Sequence, residues 1–351
     1  MTFDIARTLI TAAVAERAFP AAVVEVGSGT EVLWREAFGR LSYDPDAELA
    51  RDDTVFDLAS LTKVLATAPL VMQQLERGAI ALDDPVSRFI NEWRGADRES
   101  VTIRDLLSHT SGLTGYLPLY RDHQGRVEFE RTIATLPLEY APRSKSIYSD
   151  LGFMLLAFIL EDVGKAPLST RFDTLLEQMG IVERLQFSPP PQWRRETAPT
   201  EVDPWRGRRL VGDVHDENAW ALGGASGHAG LFGTSAAVGA YARHVLQVLA
   251  GRTGAFARET LTTFITRRTD VPGSSRALAW DTMLPTSSCG TRMSPRAFGH
   301  TGFTGTSLWI DPERSIYVVF LSNRVHPTRE NDRIPRVRPA LHDAIVEALD
   351  R

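Results

Sequence analysis

A serine and a lysine three residues apart, in Ser60-Leu-Thr-Lys63, have the types and spacing that nucleophilic catalysis requires. The run Ser60–Arg77 has a helical pattern that begins at the serine, so both side chains lie on one face of a predicted helix. The helix N-terminus favours an oxyanion near Ser60 and lowers the pKa of the adjacent ammonium. A neutral lysine can take the proton of a serine, which turns the hydroxyl into a nucleophile. The spacing therefore predicts an activated Ser60 with Lys63 beside it.

The scarcity of lysine strengthens this prediction. The chain contains only three lysines, Lys63, Lys145 and Lys165. Apart from the histidines, all its other basic residues are arginines. Guanidinium stays protonated at physiological pH, so arginine cannot replace lysine where a proton must be transferred. Lys145 and Lys165 lie in polar, loop-like stretches, whereas Lys63 lies in an apolar helix and belongs to the only S-x-x-K sequence in the chain.

Two further motifs follow Ser60 along the chain. Tyr148-Ser-Asp150 lies in a polar turn just before an apolar helix, and His300-Thr-Gly302 lies just before two predicted strands. Taken singly, Tyr148 also fits a partly buried aromatic residue and His300 an ordinary turn histidine. Their order and wide spacing behind Ser60 favour a shared site.

This arrangement resembles the serine β-lactamase and penicillin-binding-protein superfamily, within it the class C-like branch of DD-peptidases, D-aminopeptidases and related esterases. The resemblance covers almost the whole chain. It implies an α+β fold: an antiparallel β-sheet flanked by helices, an inserted mainly helical domain, and a site between them. The stretches that carry it are Ser60-Leu-Thr-Lys63, Leu106-Leu-Ser-His-Thr-Ser-Gly-Leu113, Tyr148-Ser-Asp150, Gly227-His-Ala-Gly-Leu-Phe232 and His300-Thr-Gly-Phe-Thr-Gly305.

The resemblance also implies roles for individual residues. Ser60 would be acylated, and Lys63 and Tyr148 would share the roles of base and proton shuttle. The backbone N–H groups of Ser60 and Phe303 would form an oxyanion hole, in which losing one donor typically costs about 3 kcal/mol of transition-state stabilisation. The remaining residues implied to bind substrate are Asp150, His300, Thr301 and Gly302.

Two residues depart from the pattern of this superfamily. The usual Tyr-x-Asn is Tyr148-Ser-Asp150, so position 150 offers a carboxylate that could hold Lys63 protonated or receive a substrate amine. The usual Lys-Thr-Gly is His300-Thr-Gly302, and a histidine that is mostly uncharged at neutral pH binds a substrate carboxylate less strongly than lysine does. This weaker binding argues against efficient β-lactam hydrolysis.

The elements that must position these residues form three blocks. Strand patterns at Ala21–Gly27, Glu31–Phe38 and 306–322 lie near both ends of the chain, and helical patterns dominate between about 80 and 220. We therefore predict a sheet domain formed by residues 1–78 and 223–351 and an inserted mainly helical domain formed by residues 79–222. A site in the cleft between them is expected. The helical patterns are 4–18, Ser60–Arg77, Ile103–Ser108, Phe129–Thr135, Asp150–Val163, Leu168–Met179 and Ala340–Leu349.

Composition excludes several classes of protein. A net charge of −5 gives no electrostatic signature of nucleic-acid binding. No stretch has the roughly 18 apolar residues of a membrane span, and the N-terminus reads as an amphipathic helix rather than a signal peptide. These features predict a cytoplasmic protein, or a periplasmic one if a leader was removed.

The single Cys289 reads as a passive thiol. No metal or cofactor is predicted, because His215, Asp216 and Glu217 are adjacent and point in different directions.

Several functions remain open at this stage. The polar segment Gly212–Ala219 resembles a loop of muropeptide amidases in this branch, where it would line the cleft. We read the nearby His228 as structural.

The main prediction is a serine hydrolase acting on a small-molecule or peptide-like substrate, namely an amide or ester and possibly a cell-wall amide. Alternatives are a promiscuous carboxylesterase, a class C-like β-lactamase and a slow-turnover penicillin sensor. An α/β-hydrolase is unlike this chain, because Gly224-Ala-Ser-Gly-His228 misses the G-x-S-x-G pattern. Oligomeric state is not predicted.

Overall fold

The computed structural model describes residues 2–351, and its regular elements alternate between helices and short strands. The α-helices are α1 Asp4–Ala15, α2 Ala68–Glu76, α3 Ile103–Leu107, α4 Gly125–Thr135, α5 Asp150–Gly164, α6 Leu168–Met179, α7 Glu217–Ala221, α8 Ser235–Leu249, α9 Arg258–Ile265 and α10 Ile334–Leu349. The strands are β1 Ala21–Ser28, β2 Val32–Gly39, β3 Phe56–Asp57, β4 Leu185–Phe187, β5 Val202–Asp203, β6 Arg208–Arg209, β7 Leu231–Gly233, β8 Asp281–Thr282, β9 Phe298–Thr301, β10 Ser307–Asp311 and β11 Ile316–Ser322.

The central feature is a six-stranded antiparallel sheet. Its strand order is β2-β1-β11-β10-β9-β8, so the first hairpin of the chain pairs with the last strand. In this register Val23 lies opposite Leu321 and Val24 opposite Phe320. The α+β class predicted from the sequence is thus confirmed.

Both faces of this sheet are covered. Alternate residues of β1 enter different cores: Val23 belongs to the core that contains α8, whereas Val24 belongs to the core formed with α1 and α10. Because side chains of a strand alternate between its faces, a strand buried on both sides reads as an unbroken apolar run, and Ala21–Val24 is one. Full burial of such a side chain contributes about 2 kcal/mol, and this burial fixes the register of the sheet.

The helix after Ser60 is not a regular α-helix. Residues Lys63–Thr67 form a π-helical stretch, and α2 begins at Ala68, with Pro69 in its first turn. Proline lacks an N–H and its ring collides with the carbonyl four residues earlier, here that of Leu65. The wider π-turn avoids that collision, so the helix continues without interruption into α2. The irregular turn upstream of Pro69 is therefore a π-turn that includes Lys63.

Three sequence predictions need correction. His300 precedes the two predicted strands, β10 and β11, but it also lies within a strand that was not predicted, β9, which pairs with β10. The closing helix begins at Ile334 rather than Ala340, because Pro335 occupies its first turn, where a missing N–H costs nothing. Helices α8 and α9 were not predicted. They interrupt the part of the chain where only strands were expected.

The middle of the chain is mainly helical and packs beside the sheet. Helix α5 contacts α3, α4 and α6 and also touches the π-helical stretch. A second sheet, β3-β7-β4, joins strands from the early, late and middle parts of the chain. The domain division at residues 78/79 and 222/223 stays a prediction, and this small sheet crosses both proposed boundaries.

Candidate active site

A tight turn places Ser60 at the start of the helix. Ala59 has a φ of +47°, in the left-handed region that residues with a Cβ rarely adopt. The buried carboxylate of Asp57 supports this turn, because it accepts a 2.8 Å hydrogen bond from the N–H of Ala59 and a 2.7 Å bond from that of His215. Strain of this kind persists only where the surroundings hold it, and here it fixes the position of the serine.

Ser60, Lys63 and Tyr148 meet at one point. The Lys63 ammonium donates to Ser60 Oγ over 3.1 Å, and the Tyr148 hydroxyl donates to the same oxygen over 2.8 Å. Lys63 is fully buried and its Nζ lies 4.8 Å from the centre of the Tyr148 ring. The three side chains that the sequence predicted to act together are thus in mutual contact.

Asp150 holds the lysine in its charged form. Its Oδ1 lies 2.7 Å from Lys63 Nζ. Burial by itself lowers the pKa of Lys63, but Asp150 and Tyr148 outweigh it, so that pKa is raised above its usual value. Of the two protonation states that the sequence left open for Lys63, the raised pKa favours the charged one in the free enzyme, because a carboxylate offsets the effect of burial. Burial also raises the pKa of Tyr148, although Lys63 opposes that shift.

Residues of the Leu106–Leu113 motif position Tyr148. His109 is buried with a φ of +58°, and its ring lies 4.7 Å from that of Tyr148. Its Nδ1 accepts a 3.0 Å bond from the N–H of Ser149, and its carbonyl accepts one of equal length from Ile147. The backbone on both sides of Tyr148 is therefore fixed by a single histidine.

The Gly227–Phe232 motif packs against the π-helical stretch. The carbonyl of His228 accepts a 3.1 Å bond from Lys63 Nζ, and that of Gly227 accepts a 2.7 Å bond from Thr67. The His228 ring is buried between Ser226 Oγ and Asp216 Oδ1, each 2.9 Å away. His228 thus acts through its backbone on the site, and its ring contacts side chains rather than backbone.

The opposite wall of the site is β9 and the turn that follows it. His300 is buried, its Nδ1 lies 2.8 Å from the carbonyl oxygen of Thr301, and its Nε2 has no partner among residues 2–351. Burial, reinforced by Lys63 and Arg276, lowers the pKa of His300 well below 6.5. The imidazole is therefore neutral at pH 7.

Close backbone packing explains Gly302 and the neighbouring threonines. A Cβ on Gly302 would lie 2.6 Å from the carbonyl oxygen of Leu58. Thr304 and Thr306 donate from their hydroxyls to the carbonyls of Asp57 and Leu58, over 2.7 and 3.0 Å. The turn after β9 is therefore fastened to the segment that leads into the nucleophile.

The two expected oxyanion donors are available. Within residues 2–351, neither the N–H of Ser60 nor that of Phe303 donates to another protein group. The Phe303 ring is half exposed, stacked between the His215 ring at 5.7 Å and the Arg324 guanidinium at 4.4 Å. The role of the two N–H groups stays a prediction.

A cleft of about 520 Å³ opens beside Ser60. Tyr148 and the predicted residues His300, Thr301, Gly302 and Phe303 line it. It also contains arginines that the sequence analysis missed, namely Arg276, Arg324, Arg329 and Arg338. These arginines stand apart in the sequence and outside any motif, so only the fold brings them together.

Side chains of the segment Gly212–Ala219 pair with other protein groups. His215 Nε2 contacts Glu201 at 2.9 Å, Asp216 contacts His228, and Glu217 lies 2.6 Å from Arg329. No cluster of three potential metal ligands occurs in the part of the chain that the structure describes.

Within the same residues, no helix is both long and apolar enough to span a membrane. Cys289 is buried, which raises the pKa of its thiol to about 12.

The sequence matches a known protein family over most of its length. The β-lactamase family model matches residues 6–342. A protein of Salmonella agona (strain SL483), provisionally named a D-alanyl-D-alanine carboxypeptidase, is 32% identical over 333 residues, which are 83% of this chain and 73% of the relative. A protein of Escherichia coli (strain K12) with the same provisional name is 30% identical over 364 residues, covering 91% and 82% of the two chains.

Solved structures share the fold. EstCE1, described as a hydrolase with promiscuous acyltransferase activity, superposes with a TM-score of 0.77 at 21% identity and covers 98% of both chains. A class C β-lactamase from Rhodobacter sphaeroides gives a TM-score of 0.77 at 20% identity, with 99% of both chains covered. On the family match and the sequence relatives together, the chain belongs to the β-lactamase family and is a serine hydrolase of that family.

Proposed function

We propose that this protein hydrolyses an amide of a carboxylate-bearing, cell-wall-derived peptide through an acyl-enzyme on Ser60. The observation that carries the proposal is the contact of Ser60 Oγ with both Lys63 Nζ and Tyr148 Oη in one cleft. A hydroxyl held between a cation and a proton-transferring group is the arrangement that nucleophilic catalysis needs.

The acylation step follows from these contacts. Ser60 Oγ forms a bond to the amide carbonyl carbon while its proton passes to Tyr148 Oη. Tyr148 gives its own proton to the leaving nitrogen as the C–N bond breaks, which releases an amine and leaves an ester on Ser60. The Lys63 ammonium, held by Asp150, stabilises negative charge on the phenol oxygen during this relay. The N–H groups of Ser60 and Phe303 stabilise the carbonyl oxygen.

The deacylation step reverses the relay with water. Water attacks the ester carbonyl carbon, its proton passes through Tyr148 to Ser60 Oγ, and the C–O bond to the serine breaks. A free carboxylic acid leaves and the hydroxyl of Ser60 is restored. The same residues serve both half-reactions, as microscopic reversibility requires.

Two observations support a cell-wall peptide as the substrate class. The sequence relatives are provisionally named as carboxypeptidases that act on D-alanyl-D-alanine. The cleft is lined by four arginines and three carboxylates, and one of the arginines, Arg276, makes no side-chain hydrogen bond or ion pair within residues 2–351, which suits a substrate that carries a carboxylate. The proposal includes a cytoplasmic location, where recycled wall fragments would be the substrate; cell fractionation with an antibody tests it.

Substrate profiling tests this function. We expect the purified protein to cleave N-acetylmuramoyl-L-alanyl-D-glutamate or a D-alanyl-D-alanine peptide, with new amine and acid products identified by mass spectrometry, and we expect Ser60→Ala to cleave neither. p-Nitrophenyl acetate and nitrocefin are assayed in parallel. Fast turnover of either reagent with no cleavage of the peptides would overturn the proposal in favour of a carboxylesterase or a β-lactamase. A burst of acylation without turnover would favour a sensor.

A further inference from the structure

Arg338, on α10, is a buried cation without an ionic partner. The residue borders the cleft yet is only 8% exposed. Among residues 2–351, no carboxylate oxygen lies within 4.0 Å of its guanidinium, and its Nε has no hydrogen-bond partner. Burial lowers the pKa of the guanidinium, but the group stays charged at pH 7. Because an unpaired buried cation is costly, filling space does not explain an arginine here.

The hydrogen bonds that Arg338 does make converge on one turn. Its Nη2 donates to the carbonyls of Gly302 and Thr306, over 3.1 and 2.8 Å. The N–H of Gly302 closes the same turn by donating to the Thr306 carbonyl over 2.7 Å. The guanidinium therefore binds both ends of the segment 302–306, which contains Phe303.

The carbonyl of Gly302 and the N–H of Phe303 belong to one peptide group. This peptide is trans, and in a planar trans peptide the C=O and N–H bonds point in opposite directions. Arg338 therefore lies at the carbonyl end of the peptide whose other end is an expected oxyanion donor. That N–H has no acceptor within residues 2–351, so it is free for the substrate.

A positive charge at the carbonyl end strengthens the donor at the other end. A charge-assisted hydrogen bond to the carbonyl polarises the peptide group, and hydrogen bonds in series reinforce one another where the local dielectric constant is low. The substrate's carbonyl oxygen becomes fully negative only as the tetrahedral intermediate forms. The effect therefore falls on the rate of acylation rather than on binding of the ground state.

We propose that Arg338 is the positioning residue of the oxyanion hole, which fixes and polarises the Gly302–Phe303 peptide so that its N–H stabilises the tetrahedral intermediate. This inference rests on the proposed acyl-enzyme on Ser60 and on the two expected N–H donors. Loss of the charge slows acylation about 10- to 100-fold, as expected for one charge-assisted hydrogen bond. Outright loss of an oxyanion donor costs more, roughly 100- to 1,000-fold.

Three substitutions separate the charge from packing. Arg338→Lys keeps a positive charge, Arg338→Gln keeps an N–H donor without the charge, and Arg338→Met keeps neither. Stopped-flow acylation by p-nitrophenyl acetate at pH 7 gives the maximal acylation rate and the apparent dissociation constant separately. We expect the maximal rate to fall most in Arg338→Met, less in Arg338→Gln and least in Arg338→Lys, with dissociation constants near the native one. Arg336→Met, which removes an exposed arginine from the same helix, is the matched control and should keep both native constants.

A phosphonyl adduct on Ser60 gives a readout that a merely structural role would not change. Treatment with a fluorophosphonate places a phosphoryl oxygen in the oxyanion hole, and ³¹P NMR compares the folded adduct with the same adduct after denaturation. We expect the difference between these two chemical shifts to shrink in Arg338→Met and Arg338→Gln and to be partly retained in Arg338→Lys. It should stay native in Arg336→Met.

Two outcomes would overturn the proposal. If folded Arg338→Gln or Arg338→Met keeps the native acylation rate and the native ³¹P shift, the arginine only stabilises the fold. If the dissociation constant rises while the maximal rate stays native, Arg338 binds the ground-state substrate instead. The comparison of Arg338→Lys with Arg338→Gln decides the matter even where Arg338→Met does not fold. A native protein that forms neither adduct overturns the proposed function together with this inference, so the two failures are distinguishable.

Discussion

At the scale of single residues, the site is organised by one ion pair. Asp150 contacts the buried ammonium of Lys63 at 2.7 Å, and this carboxylate is the main reason that burial does not neutralise the lysine. Lys63 therefore serves as a fixed cation beside Ser60 Oγ, and the proton that Ser60 loses moves through Tyr148. Asp150 thus determines which form of the lysine is present in this protein.

This assignment predicts a pH effect. In the native protein the pKa values of Lys63 and Tyr148 are both raised, to above 10.5 and above 10, so the acylation rate with a neutral ester should be flat from pH 7 to pH 9. In Asp150→Asn, burial is no longer offset, the pKa of Lys63 falls, and the rate should decrease as the pH rises through it. Stopped-flow acylation by p-nitrophenyl acetate measures both profiles.

The control for this experiment is Asp162→Asn, which removes a surface carboxylate from the same helix, α5, and should keep the flat native profile. Superimposable profiles for the native protein and Asp150→Asn would show that the ion pair does not set the protonation of Lys63.

At the scale of elements, two backbone segments must keep a fixed separation from each other. The turn after β9 is fastened to the segment that precedes Ser60 by two threonine hydroxyls and by the close approach of Gly302 to Leu58. The two expected oxyanion donors lie one on each segment, so their separation depends on this junction. A small displacement here costs transition-state stabilisation without unfolding the protein.

Gly302→Ala tests this junction. The added Cβ would meet the Leu58 carbonyl oxygen at 2.6 Å, so the turn must shift, and we expect the kcat of the folded variant to fall about 100-fold or more. Thermal stability should fall as well, because the clash is with buried backbone. Gly29→Ala is the control, because its Cβ would meet only Leu246 at 3.5 Å. Near-native kcat in Gly302→Ala would contradict a role of this junction in catalysis.

The elements also show how far the sequence alone leads. The first hairpin, the helix at Leu168–Met179 and the last two strands were predicted because their apolar patterns are long or regular. Strand β9 was missed, since four residues that include a glycine and a histidine carry no alternating pattern. Lys63 was predicted by its spacing from Ser60, but its charge depends on Asp150, 87 positions later. Arg276 belongs to no motif, so only tertiary structure reveals it.

At the scale of the whole molecule, a buried ionic cluster joins distant parts of the chain. Glu201 accepts from His215 and Arg329, and Arg329 also pairs with Glu217. Burial raises the pKa of Glu201, but hydrogen bonds from His215 and Arg329 outweigh it and bring that pKa to about 2. The cluster ties the middle of the chain to the segment between β11 and α10, next to the cleft.

Glu201→Gln should therefore destabilise the protein in a pH-dependent way. The native pKa of Glu201 is depressed, so its contribution is complete above the unfolded value of 4.5 and is lost as the pH falls toward 2. We expect the variant to lose about 2 kcal/mol of unfolding free energy at pH 7 and progressively less below pH 4.5. Guanidinium unfolding at pH 7 and pH 3 measures this, and an equal loss at both values would contradict the charge-based account.

Intact-protein mass spectrometry after treatment with a fluorophosphonate shows whether Ser60 is the nucleophile that forms the acyl-enzyme. We expect one adduct per chain, mapped by peptide sequencing to Ser60, absent from Ser60→Ala and formed far more slowly by Tyr148→Phe. A folded native protein that forms no adduct, or an adduct on another serine that persists in Ser60→Ala, would contradict it.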